Sequence, residues 1–348
     1  MDNQKKKYTY YTSLSAPLLY PAVFLIYNLR YADGSQQNLR FGQSMKGEWG
    51  DIQPFVVIDG STYQMPNGVD IDWLSIAENK RYKLSMPLDV STLEALWDNK
   101  SQDEEPLYSH ISFSVAPYGG VALWYFGRQK QILVKWIKAS LSSDTDTPMR
   151  LPVEEIYQLS LNNMGDDFKD EMQQHGLPDP HLFDRMMQQF IYRFLPVLKK
   201  WDEDSSTWTN YAEDEKLPEL DFVEVKCHDG TFDRLRDGSL LSYHQAGKPS
   251  RVCVGWHVGK REYSAYFFFS HDELAQVFRA CYGAHPDTKV DFLLQIDPES
   301  NKYEPALFRY GMKEPLAIGP DACQVLVFRN KFECYRSPNY TQPQGAWR

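Results

Sequence analysis

The chain has 348 residues, 42% hydrophobic and 14% aromatic, enough for more than one core and beyond the usual size of a single domain. Its formal charge is −10, and residues 141–220 hold 17 acidic against 7 basic residues, so the whole imbalance lies in that segment. Such a chain lacks the clustered Lys and Arg that phosphate backbones require, which argues against nucleic acid. No apolar stretch is long enough for a membrane span or a signal-peptide core, so the expectation is a cytoplasmic protein with no membrane partner.

In residues 1–140 the apolar run VFLIYNLRYADG ends at Asp33-Gly34, a hairpin signal because both residues tolerate positive φ. A Trp-bearing strand pair follows in VDIDWLSIAENKRYKLSMPL. Ser91-x-x-Glu94 then reads as a capping box opening a short helix with Leu93, Leu96 and Trp97 on one face. GGVALWYFGRQKQILV supplies further strands and closes a β-rich N-terminal domain.

Residues 141–220 read as an acidic helical bridge with a loop. One helix is expected over Pro152 to Met164. A second follows Asp179-Pro180, where HLFDRMMQQFIYRFLPVLKK places Phe183, Met186, Met187, Phe190, Ile191, Phe194, Leu195 and Leu198 at helical spacing, bent near Pro196. From Trp201 to Pro218 there is no apolar period, and the segment reads as loop.

Residues 221–348 repeat the order of the first region. FVEVKCHDG ends at Asp229-Gly230, VCVGWHVGKREYSAYFFF is a second Trp-bearing strand pair, and Ser270-x-x-Glu273 is a second capping box. The helix residues Leu274, Val277 and Phe278 match those of the first helix only after a two-residue shift relative to the box. Ala306, Leu307, Phe308 and Gly311 then fall opposite Ala122, Leu123, Trp124 and Gly127 at one constant offset. The fold expected is α+β, predominantly antiparallel β and sandwich-like, with two divergent β-rich pseudo-repeats joined by the helical acidic segment.

Chemistry-bearing residues form no assembled catalytic motif. All five cysteines (Cys227, Cys253, Cys281, Cys323 and Cys334) lie in the last third without a Cys-x-x-Cys pair, as expected of reduced thiols. Cys253 and His257 lack an orienting third group, and neither Cys227-His228 nor His271-Asp272-Glu273 reaches the three or four ligands a zinc site needs. The glycine-bearing stretches have no phosphate-cradling pattern. No enzyme, metal or cofactor is expected; a hydrolase would need a pocket joining His257 or His271 to a carboxylate.

Several stretches together resemble a bacterial family, domain of unknown function 2931. They are Ala16-Pro17, Tyr20-Pro21, Asp33-Gly34, Trp49-Gly50, the run from Trp73 through Lys80 with Tyr82, Pro87-Leu88, and Ala116-Pro117-Tyr118-Gly119-Gly120-Val121-Ala122-Leu123-Trp124 with Gly127. The resemblance covers roughly residues 15–140, with a fainter trace in the second half. It departs from the family in lacking the lipoprotein signal many members carry, and in Tyr118 interrupting the family's Pro-Gly-Gly. Members are often encoded beside type VI secretion toxins, so the resemblance implies an immunity protein and implies no catalytic residues.

The expected function is therefore neutralisation of a cognate toxin with a basic active-site cleft. The acidic segment places the partner-binding residues at Trp201, Asp202, Glu203, Asp204, Trp208, Tyr211, Glu213, Asp214 and Glu215, with the aromatics as anchors and the carboxylates opposite the partner's cations. The alternative from another class is a non-catalytic carbohydrate- or peptide-binding module with Trp49, Tyr118 and Trp256 as its platform.

Overall fold

The computed structural model describes residues 6–39, 44–45, 49–50, 55–58, 64–100, 107–127, 130–142, 151–212, 215, 217–235, 242–283, 285, 287–298, 302–328 and 334–336. The chain divides into two compact units, Met1–Arg185 and Met186–Arg348. The first holds β1 (Tyr10–Ser15), β2 (Ala22–Arg30), β3 (Gln36–Asn38), β4 (Ser44–Met45), β5 (Phe55–Ile58), β6 (Gly68–Ser75), β7 (Lys80–Pro87), α1 (Val90–Asp98), β8 (His110–Ala116), β9 (Gly120–Phe126), β10 (Lys130–Lys138), β11 (Ser140–Leu141), α2 (Val153–Asn162), α3 (Asp166–His175) and α4 (Leu182–Met186), whose last residue crosses the boundary.

Two sheets enclose the core of this unit. One runs β10-β9-β8-β1-β5 and the other β11-β7-β6-β2-β3, with β4 also on β2; among the described residues only β1 and β8 pair in parallel. Alternation along the strands turns Tyr10, Leu14, Ile111 and Phe113 toward Tyr27, Leu29, Ile71 and Trp73, and α1 closes the core with Leu93 and Trp97. On the outer side of β2 and β6, helices α2 and α3 cover Val23, Leu25, Leu74 and Ile76 with Val153, Ile156, Leu161, Met164 and Phe168. The carboxylate of Asp72 on β6 takes two bonds from Arg81 on β7, Nε at 2.8 Å and Nη2 at 2.6 Å, with the two side chains 5% and 2% exposed.

The second unit holds β12 (Phe190–Leu198), β13 (Lys200–Asp202), β14 (Thr207–Thr209), β15 (Glu219–Cys227), β16 (Phe232–Leu235), β17 (His244–Ala246), β18 (Pro249–Val258), β19 (Arg261–Phe269), α5 (His271–Tyr282), β20 (Val290–Ile296), β21 (Tyr303–Arg309), β22 (Leu316–Ala317), β23 (Cys323–Phe328) and β24 (Cys334–Arg336). Its sheets run β17-β12-β20-β21-β22 and β24-β23-β19-β18-β15-β16, and again one pair, β12 with β20, is parallel. With β4, β24 and the β13–β14 hairpin set aside, strand order and connectivity equal those of the first unit.

The likeness extends to details. In β2 a register shift falls between Phe24, opposite Trp73, and Ile26; in β15 it falls between Leu220, opposite Trp256, and Phe222. Each tryptophan stacks on the tyrosine of the next strand, Trp73 on Tyr82 and Trp256 on Tyr263, at ring separations of 5.5 and 5.7 Å. Both Asp-Gly turns form: Gly34 N–H donates to Tyr31 O as Gly230 N–H donates to Cys227 O, both at 3.0 Å, and each aspartate accepts the backbone N–H two residues on. The chain is a duplicated, mainly antiparallel β-sandwich of the α+β class.

Several local expectations are corrected. Ser91 caps nothing: the N-cap of α1 is Asp89, whose carboxylate accepts Thr92 N–H at 3.2 Å. Counting from Asp89 and from Ser270, the N-cap of α5, puts Leu93, Leu96 and Trp97 level with Leu274, Val277 and Phe278, so the apparent two-residue shift vanishes. Ser270 holds its cap position without a side-chain cap bond. The long amphipathic helix shrinks to α4, because β12 buries Phe190, Tyr192 and Phe194 at a period of two. Among the described residues β17 pairs with β12 only as far as Tyr192, and Pro196 lies beyond that pairing. The segment read as loop contains the β13–β14 hairpin.

Candidate partner-binding surface

The acidic and aromatic residues singled out in the sequence meet on the β13–β14 hairpin. Lys200 opposes Thr209, Trp201 opposes Trp208 and Asp202 opposes Thr207, so the two indoles share one side of a short ribbon and meet edge-on at 5.3 Å. The turn is built by Asp202, whose Oδ1 accepts the backbone N–H groups of Asp204 at 3.0 Å and Ser205 at 3.3 Å, while Ser206 takes a positive φ of 52°. The bond from the Ser205 hydroxyl, then the turn amides, hold the Asp202 carboxyl below its ordinary range.

The hairpin is fastened to the sheet by long-range polar contacts. Trp208 Nε1 donates to Glu304 at 2.7 Å, Trp201 N–H donates to Asp297 at 2.7 Å, and Lys302 lies 4.4 Å over the Trp201 ring. Lys200 binds the Glu215 carboxylate and lies 5.4 Å from the Tyr211 ring centre. That bond, first, with the Ala212 amide, lowers the Glu215 pKa. The structure thus brings together Trp201, Asp202, Glu203, Asp204 and Trp208, with Tyr211 and Glu215 joined through Lys200; Glu213 and Asp214 lie outside the described residues. Glu203 and Asp204 stand exposed at the tip, and among the described residues neither is paired with a cation.

Lys200, Asp297, Lys302 and Glu304, which hold this surface, carry no signal in the sequence, since three of them lie nearly a hundred residues from the hairpin. Part of the charge excess also lies elsewhere: Asp166, Asp167 and Asp170 project from α3 in the first unit.

The other candidate groups are occupied in other ways. His257 is held between Asp221, at 2.8 Å from Nδ1, and Glu219, at 3.5 Å from Nε2, while the Cys253 thiol is buried and burial pushes it up to about 12. Trp256 is fully buried, and Trp49 packs against Trp124, Trp136 and Phe183. His228 sits edge-on to His271 at 5.1 Å, its Nε2 buried without a hydrogen-bond partner. Burial first, then neighbouring His271 and Lys248, lower its pKa to about 3.

His228 therefore stays neutral in the fold while the unfolded chain takes up its proton as pH falls below about 6.5. Its contribution to stability is intact above that pH and is lost between about 6.5 and 3. Buried Asp229, whose pKa is raised by burial, works in the opposite sense. Urea midpoints measured at pH 7 and pH 5 should fall further for the wild type than for His228→Gln, and an equal fall would refute this role for His228.

The family-resembling stretch around Tyr118 has a structural account. Tyr118 takes a φ of 59° and Gly119 one of 69°. The Tyr118 N–H donates to Glu78 at 2.9 Å and its hydroxyl to Pro178 O at 3.0 Å. A Cβ on Gly120 would stand 2.2 Å from the Trp136 ring, so the strand passes under that indole only as glycine.

Fold and site together define a tandem β-sandwich protein carrying a tryptophan-anchored acidic hairpin on its second unit. The chain belongs to the family described as Protein of unknown function (DUF2931), whose model matches residues 1–179. No curated protein and no solved structure matches it. The matched residues all fall in the first unit, and the second repeats that unit's topology.

Proposed function

We propose that the protein is an immunity protein that binds one bacterial toxin, of the type VI secretion kind, and blocks its active site in the cytoplasm. The observation that carries this reading is the hairpin tip, where Glu203 and Asp204 are exposed beside the paired indoles of Trp201 and Trp208 in the segment that holds the chain's excess charge. Carboxylates without a cation of their own favour a basic cleft, and aromatic anchors supply the apolar part of such interfaces.

The test uses the product of the adjoining gene. It should kill cells only when this protein is missing, and the purified pair should bind more weakly as salt is raised. Reversing Glu203 and Asp204 to lysine, with the turn-building Asp202 kept, should weaken binding at least tenfold at low salt and flatten the salt dependence. Unchanged affinity and salt dependence in that variant would remove the hairpin as the interface.

A further inference from the structure

The sheet that carries the hairpin has a second feature. On β12 the core-facing residues Phe190, Tyr192 and Phe194 alternate with Ile191, Arg193, Leu195 and Val197 on the opposite side. The register places Leu195 beside Leu293 and Val197 beside Gln295, and puts Phe308 across from Asp291. This strip is partly exposed in the chain as a whole. A sandwich strand with one wet face alternates apolar with polar residues, whereas one apolar on both faces is built for burial on both.

The duplicate unit offers a comparison. There the equivalent outward positions of β1 and β8 are Ser13, Ser15, Ser112 and Ser114, all at most 1% exposed and hydrogen-bonded in pairs across the strands. The same face is therefore closed and lined by small hydroxyls in one copy, and open and lined by large aliphatic groups in the other.

The charges around the open strip indicate what suits it. Arg193 is neutralised by Asp291 at 2.7 Å, Lys200 by Glu215, and Lys302 by Glu304 at 3.1 Å, whereas Glu203 and Asp204 on the adjoining hairpin are not. With Lys199 set against Asp202, Glu203 and Asp204, the rim is left net negative. We infer that the outer face of β12 and β20, centred on Leu195 and Leu293, is the apolar centre of a protein-binding surface whose occupant is a protein with an apolar patch inside a basic rim. This rests on the proposed function and specifies the surface the toxin would present. A second copy of this chain is the less suitable occupant, because it would bring the same acidic rim against itself.

The adjoining-gene protein is the probe, titrated calorimetrically into the full chain at two salt concentrations. Leu293→Asp should raise Kd by about 30-fold or more, the scale of a central anchor, with the salt dependence kept. Leu293→Gln, milder for folding, should weaken binding in the same direction, with circular dichroism and thermal melts showing both variants folded. Wild-type affinity in the folded Leu293 variants would overturn this inference while leaving the hairpin reading standing. No binding by the wild-type chain would overturn both. Concentration-dependent self-association abolished by Leu293→Asp would assign the face to a second copy and equally overturn the proposal.

Discussion

Arg81→Met should destabilise the first unit by about 3–5 kcal/mol, because it leaves the Asp72 carboxylate buried with its principal cation gone. The pair is bidentate and nearly inaccessible, so water cannot replace the guanidinium without opening the sheet. Most of the loss should be recovered by adding Asp72→Leu, since an apolar pair of similar volume removes the stranded charge and its desolvation penalty. For a chain of this size the single variant should melt roughly 10 °C lower and the double variant close to wild type. A single variant within about 1 kcal/mol of wild type would mean that the carboxylate is solvated or neutralised by other means.

Trp73→Ala and Trp256→Ala should each cost about 3–5 kcal/mol, as expected for emptying a fully buried indole site between two sheets. The matched bulge and matched tyrosine make this a paired experiment. Each indole stacks on a tyrosine of the next strand, and in each the indole N–H is buried without an acceptor. Hydrogen exchange should therefore rise in peptides covering 64–100 for Trp73→Ala and in peptides covering 249–283 for Trp256→Ala. Faster exchange spread evenly over both units in either variant would contradict their separate cores.

Features written locally were readable from the chain. Asp33-Gly34 and Asp229-Gly230 are turns because φ of 85° and 86° at the glycines needs no help from elsewhere. The helix residues Leu93, Trp97, Leu274 and Phe278 are buried as their spacing implies. Assigning the cap to Ser91 failed because Asp89, two residues earlier, offers the stronger acceptor to the first free amides. The long helix failed for a different reason. FIYRFLPVL satisfies both periods, and the parallel partner β20 that selects the period of two lies roughly a hundred residues away.

The candidate surface shows the same division. Trp201, Trp208 and the neighbouring acids were visible as composition, but the ribbon pairing them depends on the turn at Asp202, and its attachment depends on Glu304, Asp297 and Lys302. A reader of the sequence sees the groups and not what holds them in place. The open face at Leu195 and Leu293 was hidden more deeply, because those residues were assigned to the wrong kind of element or to none.

The parallel pairing of β1 with β8 and of β12 with β20 bears on synthesis. β1 is made first but pairs with β8, and β12 pairs with β20, so at about 5–20 residues per second each leading strand spends roughly 5–20 s on the ribosome before its central partner exists. The two strands meet that interval with different chemistry. β1 turns Ser13 and Ser15 to its outer side, a hydroxyl-rich face with little tendency to stick, whereas β12 carries aromatic groups on one side and mainly aliphatic groups on the other. Arg193 and Pro196 place a charge and a missing N–H within that strand, the kinds of residue that oppose unwanted strand pairing.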